Sequence, residues 1–248
     1  MASSLDQLLH PRPPSSPEVI GATVAAVTSA NQTKTEPGDL HLAAALLRIG
    51  SVAIALRAAG VDVDKAQDEL AVSLRALPPR PGLFTRVAQV FRDSRVALDP
   101  VHRERARAAR CELPELTAPF TLAVVAEESK EVLAALSRAG FRLRDFRYVV
   151  AHGRAETTSP TPGDGPVRVV VHNDPFTTME LVEAVLVEVF GRSAETAKEL
   201  MMRVHKNGEA ELASMDAKDA AARIADARAR ALALDFPLRI EASPVATA

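Results

Sequence analysis

The chain has 248 residues, 47% hydrophobic and 25% charged, which is globular composition with enough apolar material for one or two buried cores. A formal net charge of −2 excludes a general electrostatic pull toward nucleic acid or anionic membrane. The single cysteine, Cys111, excludes an internal disulfide and fits a reducing compartment, and the absence of Trp beside abundant Ala and Leu points to helices.

In chain order, "MASSLDQLLHPRPP" has no basic segment followed by an apolar core, so no secretory signal is expected. Proline-rich stretches at 11–17, 78–82 and 157–166 stop helices and favour extended, solvated chain. The apolar run 40–60 is interrupted by Arg48 and Arg57 and reads as a buried helix pair rather than a membrane span. Between the prolines lies an internal repeat. At a shift of 80, "LHLAAALLRIGSVAIALRAAGVDVD" lies over "FTLAVVAEESKEVLAALSRAGFRLR", with Gly60 on Gly140, Leu56 on Leu136, Val52 on Val132, Val61 on Phe141 and Val63 on Leu143. Each copy is a helix, a polar break and a second helix ended by Gly, the residue a positive-φ helix end requires. Duplicated helical units of this kind pack together to cover stripes neither hides alone. The basic segment "HRERARAAR" at 102–110 reads as a solvated helix face, and Cys111 has no evident catalytic partner.

The stretch 157–166 has almost no apolar content and divides this helical region from one that mixes strands and helices. Beyond it "VRVVV" at 167–171 is β-branched and predicts a strand. Thr177 is the expected N-cap of the next helix, with Glu180 completing a capping box. That helix ends at Gly191, Ser193 caps a second, "HKNG" closes it, "EAELAS" follows, a third helix runs from about Asp216 to Leu234, and "PLRIEA" is the last strand. The order β-α-α-β-α-β predicts a small α+β sandwich with helices on one face of a three-stranded antiparallel sheet.

In that arrangement Asn173, Asp174 and Pro175 form the turn between the first strand and the first helix, Met179 projects from the helix's first turn, and Met201 and His205, four apart, share a face. An Asn carbonyl, an Asp carboxylate and a neutral His nitrogen are acceptors suited to an ammonium group. The methionines beside them supply an adaptable apolar hole. Read alone, the same methionines fit a core, His205 fits a helix-dipole partner and Asn-Asp-Pro fits a plain turn. No metal site is expected from His172, Asp174 and His205, and no cofactor, hydrolase or G-x-x-x-x-G-K-[ST] phosphate-binding motif is present.

The segments "VHNDPFTTMELVEAVLVEVFG", "AKELMMRVHKNGEA" and "FPLRIE" resemble the ClpS adaptor family over 167–242 without an internal gap. The resemblance implies a non-enzymatic adaptor that binds proteins beginning with a large hydrophobic residue (N-degrons) and delivers them to an ATP-dependent Clp chaperone-protease. It implies that Asn173 and His205 hold the free α-amine with Asp174 ordering the peptide's first residues. Thr177, Met179, Val182, Met201 and Leu238 then wall the side-chain pocket, with Met179 as the gate against β-branched residues. Lys218, where the family often has a glutamate, and Arg223, at its usual basic position, would face the chaperone. Pro175 departs from the family's second acidic residue.

The duplicated helical region, from Leu5 to Gly153, resembles the N-terminal domain of Clp AAA+ chaperones, through "HLAAALLRIGSVAIALRAAGVDVDKAQDEL" above all. The expected organisation is a Clp N-terminal-like double repeat at 1–154, a flexible linker at 155–166 and a ClpS-like domain at 167–248. Expected partners are a Clp chaperone N-domain and N-degron substrates, in the cytoplasm. The two domains are also expected to be able to dock on each other, within one chain or across a dimer. The alternative function is a regulatory protein that engages Clp N-domains or ClpS domains without delivering substrates.

Overall fold

The computed structural model describes residues 15–79, 113, 115–156 and 165–245. The basic segment 102–110, Cys111 and most of the expected linker lie outside them. The chain divides into two compact units, Met1–Phe146 and Arg147–Ala248.

The first unit is helical: α1 (Pro17–Thr33), α2 (Asp39–Leu46), α3 (Gly50–Ala58), α4 (Val63–Arg75), α5 (Ala118–Glu128), α6 (Lys130–Ser137) and the start of α7 (Leu143–His152). The repeat is carried helix for helix, since the bounds of α2, α3 and α4 shifted by 80 fall on α5, α6 and the beginning of α7. The glycine turns share one backbone pattern. Gly60 and Gly140 both have positive φ, 78° and 89°. Val61 N donates to Leu56 O at 2.9 Å, and Phe141 N to Leu136 O at 3.2 Å. Such 6→1 bonds satisfy the last carbonyls of a helix and need a left-handed residue, which glycine supplies without steric cost. The two turns meet, with Asp62 N donating to Ala139 O at 3.3 Å. Paired positions are buried alike: Val52 with Val132, Leu56 with Leu136 and Ala66 with Phe146 are all fully covered. The apolar run 40–60 becomes α2 and α3, bent by 88°, and no single described helix is long and apolar enough to cross a membrane.

The second unit holds β1 (Pro166–His172), α8 (Met179–Glu188), α9 (Ala194–Asn207), β2 (Glu209–Asp216), α10 (Ala217–Leu232) and β3 (Arg239–Pro244). The sheet order is β2-β1-β3, antiparallel throughout. Val167, Val169 and Val171 alternate into a core shared with Leu186, Leu200 and Ile240. The other face of the sheet is polar, with Arg168 and His172 on β1 and Arg239 and Glu241 on β3. Arg154, just past α7, pairs with Glu241 on that face at 2.6 Å.

Ser193 caps α9 by accepting from Thr196 N at 3.1 Å, and Gly208, at φ 83°, ends it. The N-cap of α8 is Thr178, which accepts from Leu181 N at 3.3 Å, and not Thr177. The reason is chemical. The Thr177 hydroxyl donates to Asp174 Oδ2 at 2.7 Å, so the next threonine caps the helix, and with Leu181 three residues on no capping box forms.

Candidate functional site

The site is built where β1 ends. Asn173, exposed, donates its backbone N–H to Gly208 O at 2.7 Å, which ties the turn to the C-terminal end of α9, three residues from His205. Asp174 then folds the chain back on itself. Its Oδ1 accepts from Phe176 N at 2.9 Å and from Thr177 N at 2.7 Å, while Oδ2 takes the Thr177 hydroxyl. With 9% of its surface exposed, this carboxylate is largely withdrawn from water. An Asx turn of this kind is what a short acidic side chain ahead of a helix does best. Three of its acceptor positions serve the turn, so Asp174 acts by shaping the loop that carries Thr177 and Met179.

Burial separates the two methionines that spacing leaves equivalent. Met201 is 5% exposed and joins the core cluster with Leu200, Val204 and Leu238. Met179, the first residue of α8, is 40% exposed. Val182, half-buried, packs against the cluster that holds Met201 and Leu238. His205, also half-buried, lies in the last turn of α9, four residues after Met201 and so on the same side of the helix. Asn173 and Asp174 thus lie in the turn that leads into α8, Met179 is exposed at the start of that helix, and Met201 and Leu238 are buried in the core against which Val182 packs.

Lys218 is exposed in the first turn of α10, its backbone N–H bonded to Asp216 Oδ1 at 2.9 Å. The Arg223 guanidinium donates to Val189 O at the C-terminal end of α8, where a cation complements the helix dipole. That bond joins α8 to α10, so Arg223 has a structural partner within the unit.

The sequence gives no hint of two contacts made from the end of α7. Arg147, 2% exposed, lies over the Phe176 ring with its guanidinium carbon 5.3 Å from the centroid, and Nη1 donates to Asp235 O at 3.2 Å. His152 Nε2 lies 3.0 Å from Pro237 O. Burial holds His152 below the ordinary histidine value, with the Pro237 carbonyl opposing that shift. Burial and then the Arg239 guanidinium likewise hold His172 low, although Glu209 stands at 3.1 Å and Glu241 at 3.6 Å. Arg239 keeps Glu241 ionised, below the usual carboxylate range. The sequence signal for Arg147 and His152 is weak, because "RDFRYVVAH" reads as an ordinary amphipathic helix end.

Among the described residues no group of three His, Cys, Asp or Glu side chains converges to hold a metal. The second unit is a small α+β module with helices packed on a three-stranded antiparallel sheet. Residues 163–241 match the family model described as ATP-dependent Clp protease adaptor protein ClpS. The ATP-dependent Clp protease adapter protein ClpS of Nitratidesulfovibrio vulgaris (strain DSM 19637 / Miyazaki F) is 42% identical over 72 residues, 29% of this chain and 72% of the relative. The ClpS of Desulfatibacillum aliphaticivorans is 35% identical over 89 residues, 36% of this chain and 86% of the relative. Among solved structures, Agrobacterium tumefaciens ClpS2 bound to L-phenylalaninamide shares 29% identity, with 32% of this chain and 96% of that one covered and a TM-score of 0.32. The chain belongs to the ClpS family of Clp protease adaptors.

Proposed function

We propose that this protein is a substrate-recognition adaptor that binds the free N-terminus of proteins beginning with a large hydrophobic residue and directs them to an ATP-dependent Clp chaperone-protease, with no catalytic step of its own. The observation that carries this reading is the turn at the end of β1 and the residues around it. An exposed Asn173 is tied to the end of α9, an exposed Met179 opens α8 while Met201 and Leu238 are buried, and the intervening turn is fixed by Asp174. The Asn173 carbonyl and a neutral His205 nitrogen would accept from the ammonium group, while Thr177, Met179, Val182, Met201 and Leu238 surround the first side chain. Burying a Leu or Phe side chain contributes roughly 1.5–3 kcal/mol, and each charge-assisted bond about 1.5–3. After ordering costs the sum corresponds to an affinity of about micromolar.

In this reading the partner is a Clp AAA+ chaperone N-domain, met through the surface that carries Lys218 and Arg223, and the setting is the cytoplasm. We take 1–154 as a Clp N-terminal-like double repeat, 155–166 as a linker and 167–248 as the ClpS-like domain. The doubled helix pattern about Gly60 and Gly140 supports the first assignment. A chain holding both partners' folds would let them dock within one molecule or across a dimer, and a short linker would supply an effective concentration on the order of mM. Lys218, where the family often has a glutamate, and the helical double repeat on the same chain leave room for a second reading, in which the protein engages Clp N-domains or ClpS domains as a regulator and delivers nothing.

A pull-down of the full chain on an immobilised Phe-starting peptide, with and without a candidate Clp chaperone, followed by a degradation assay, tests both. Capture of the chain supports recognition, and no capture on a free-amine peptide overturns it. Degradation of a Phe-starting substrate when chain, chaperone and protease are combined supports delivery, and its absence despite capture of chain and chaperone together supports the regulatory reading.

A further inference from the structure

Two irregular segments carry residues assigned above to the peptide site. One is the turn Asp174–Phe176–Thr177. The other is the stretch after α10, which passes through Asp235, at a positive φ of 56°, and reaches Leu238 by way of Pro237. The second half of α7 touches both. Arg147 lies over the ring of Phe176, whose own N–H is held by Asp174, and bonds Asp235 O with the same guanidinium. One turn further along, His152 reaches Pro237 O at 3.0 Å, the carbonyl directly before Leu238. Tyr148, 1% exposed, packs its ring against His152 with centroids 4.6 Å apart and fixes that ring's plane.

The chemistry of the contact is particular. A guanidinium presents donors in one plane and an attractive face to an aromatic ring, so one side chain can bond a carbonyl and cover a ring together. Arg147 does both while almost fully buried, where the ring contact is strongest because water does not compete. A hydrophobic residue there would cover Phe176 but leave Asp235 O without this donor. Positioning to within about half an ångström is what a binding recess demands of its supports.

We propose that the second half of α7 is a clamp that sets the spacing between the two walls of the recess, with Arg147 and His152 as positioning residues for the bound N-terminal residue. This rests on the reading of the recess as an N-terminal-residue site. Neither residue touches the ligand. Arg147 acts through Phe176 on Thr177 and Met179, and His152 acts through Pro237 on Leu238.

The test uses the full chain, a Leu-starting peptide with a free amine, and amide spectra of the recess. Arg147→Ala is expected to weaken binding about tenfold and to move the amide signals of Thr177 and Leu238. Phe176→Leu in the Arg147→Ala background should add little, because both changes break one contact. His152→Ala is expected to weaken binding about threefold, whereas His152→Gln, which keeps a donor for Pro237 O, should restore it. A merely structural role would lower the melting temperature and leave the affinity of the folded fraction unchanged. If Arg147→Ala does not fold, Phe176→Leu and the His152 pair carry the test. Folded Arg147→Ala and His152→Ala variants that bind within twofold of the wild type overturn the clamp alone. A wild-type chain that binds no free-amine peptide overturns the recess as a site, and the clamp with it.

Discussion

Replacing Asp174 by alanine removes three hydrogen bonds from one turn. Two of the donors are backbone N–H groups, of Phe176 and Thr177, and the third is the Thr177 hydroxyl. Phe176 is 4% exposed, so water does not reach its orphaned N–H, and such a group costs about 1–3 kcal/mol. Thr177 is half-buried and can be partly hydrated, which limits its share to about 1 kcal/mol. The second unit should therefore lose about 2–4 kcal/mol, which for a domain of this size is a fall of roughly 10–20 °C in Tm. Asp174→Asn keeps Oδ1 for the two N–H groups and turns its amide toward Thr177 Oγ1, which can rotate to accept, so about 1 kcal/mol is expected. Calorimetry of the two variants decides the point. An Asp174→Ala chain within about 0.5 kcal/mol of wild type would refute the turn as the load on this carboxylate. Equal losses for Ala and Asn would mean that charge, and not bond geometry, holds the loop.

Met179→Ala should alter stability by less than about 0.5 kcal/mol, because the side chain is 40% exposed, and, as the proposed gate, should admit Ile- and Val-starting peptides whose second Cβ substituent the methionine would block. Fluorescence anisotropy with peptides differing only in residue one checks this, and no gain for Ile or Val removes Met179 as the gate. His205→Ala should cost roughly 1–3 kcal/mol of binding through an unpaired amine, and equal affinity by isothermal titration would sink that role. Thermal melts should show the second unit losing stability as pH falls below about 6.5. His152 and His172 are both held low by burial, so the unfolded chain takes up their protons first and stability is full only above the unfolded value. Glu241, held low by Arg239, adds a further loss in stronger acid, and a Tm that stays flat or rises from pH 7.5 to 5.5, or a His172→Gln variant with an undiminished slope, contradicts the account.

The elements were legible because their signals are local. The β-branched run 167–171 marked β1, Ser193 and Gly208 bracketed α9, and glycines 80 residues apart marked the duplicated helices. The N-cap of α8 was misread by one residue because two threonines stand side by side, and the choice was made by a carboxylate upstream that draws Thr177 away. The methionines could not be told apart by spacing, since their depth depends on the sheet beneath Met201 and on α8 beginning at Met179. Arg147 was the least legible. Arginine is ordinarily a surface residue, and its partners Phe176 and Asp235 come from distant segments that no local period connects.

The central claim is that the recess recognises a free N-terminal amine together with a large unbranched apolar side chain. Isothermal titration of the full chain with two peptides, identical and Phe-starting except that one is N-acetylated, tests it most directly. The account predicts binding at about micromolar affinity for the free amine and a loss of at least about tenfold on acetylation, which removes the charge and leaves a single N–H where Asn173 and His205 would each need one. Equal affinity for the two peptides, or no binding of either, would contradict it.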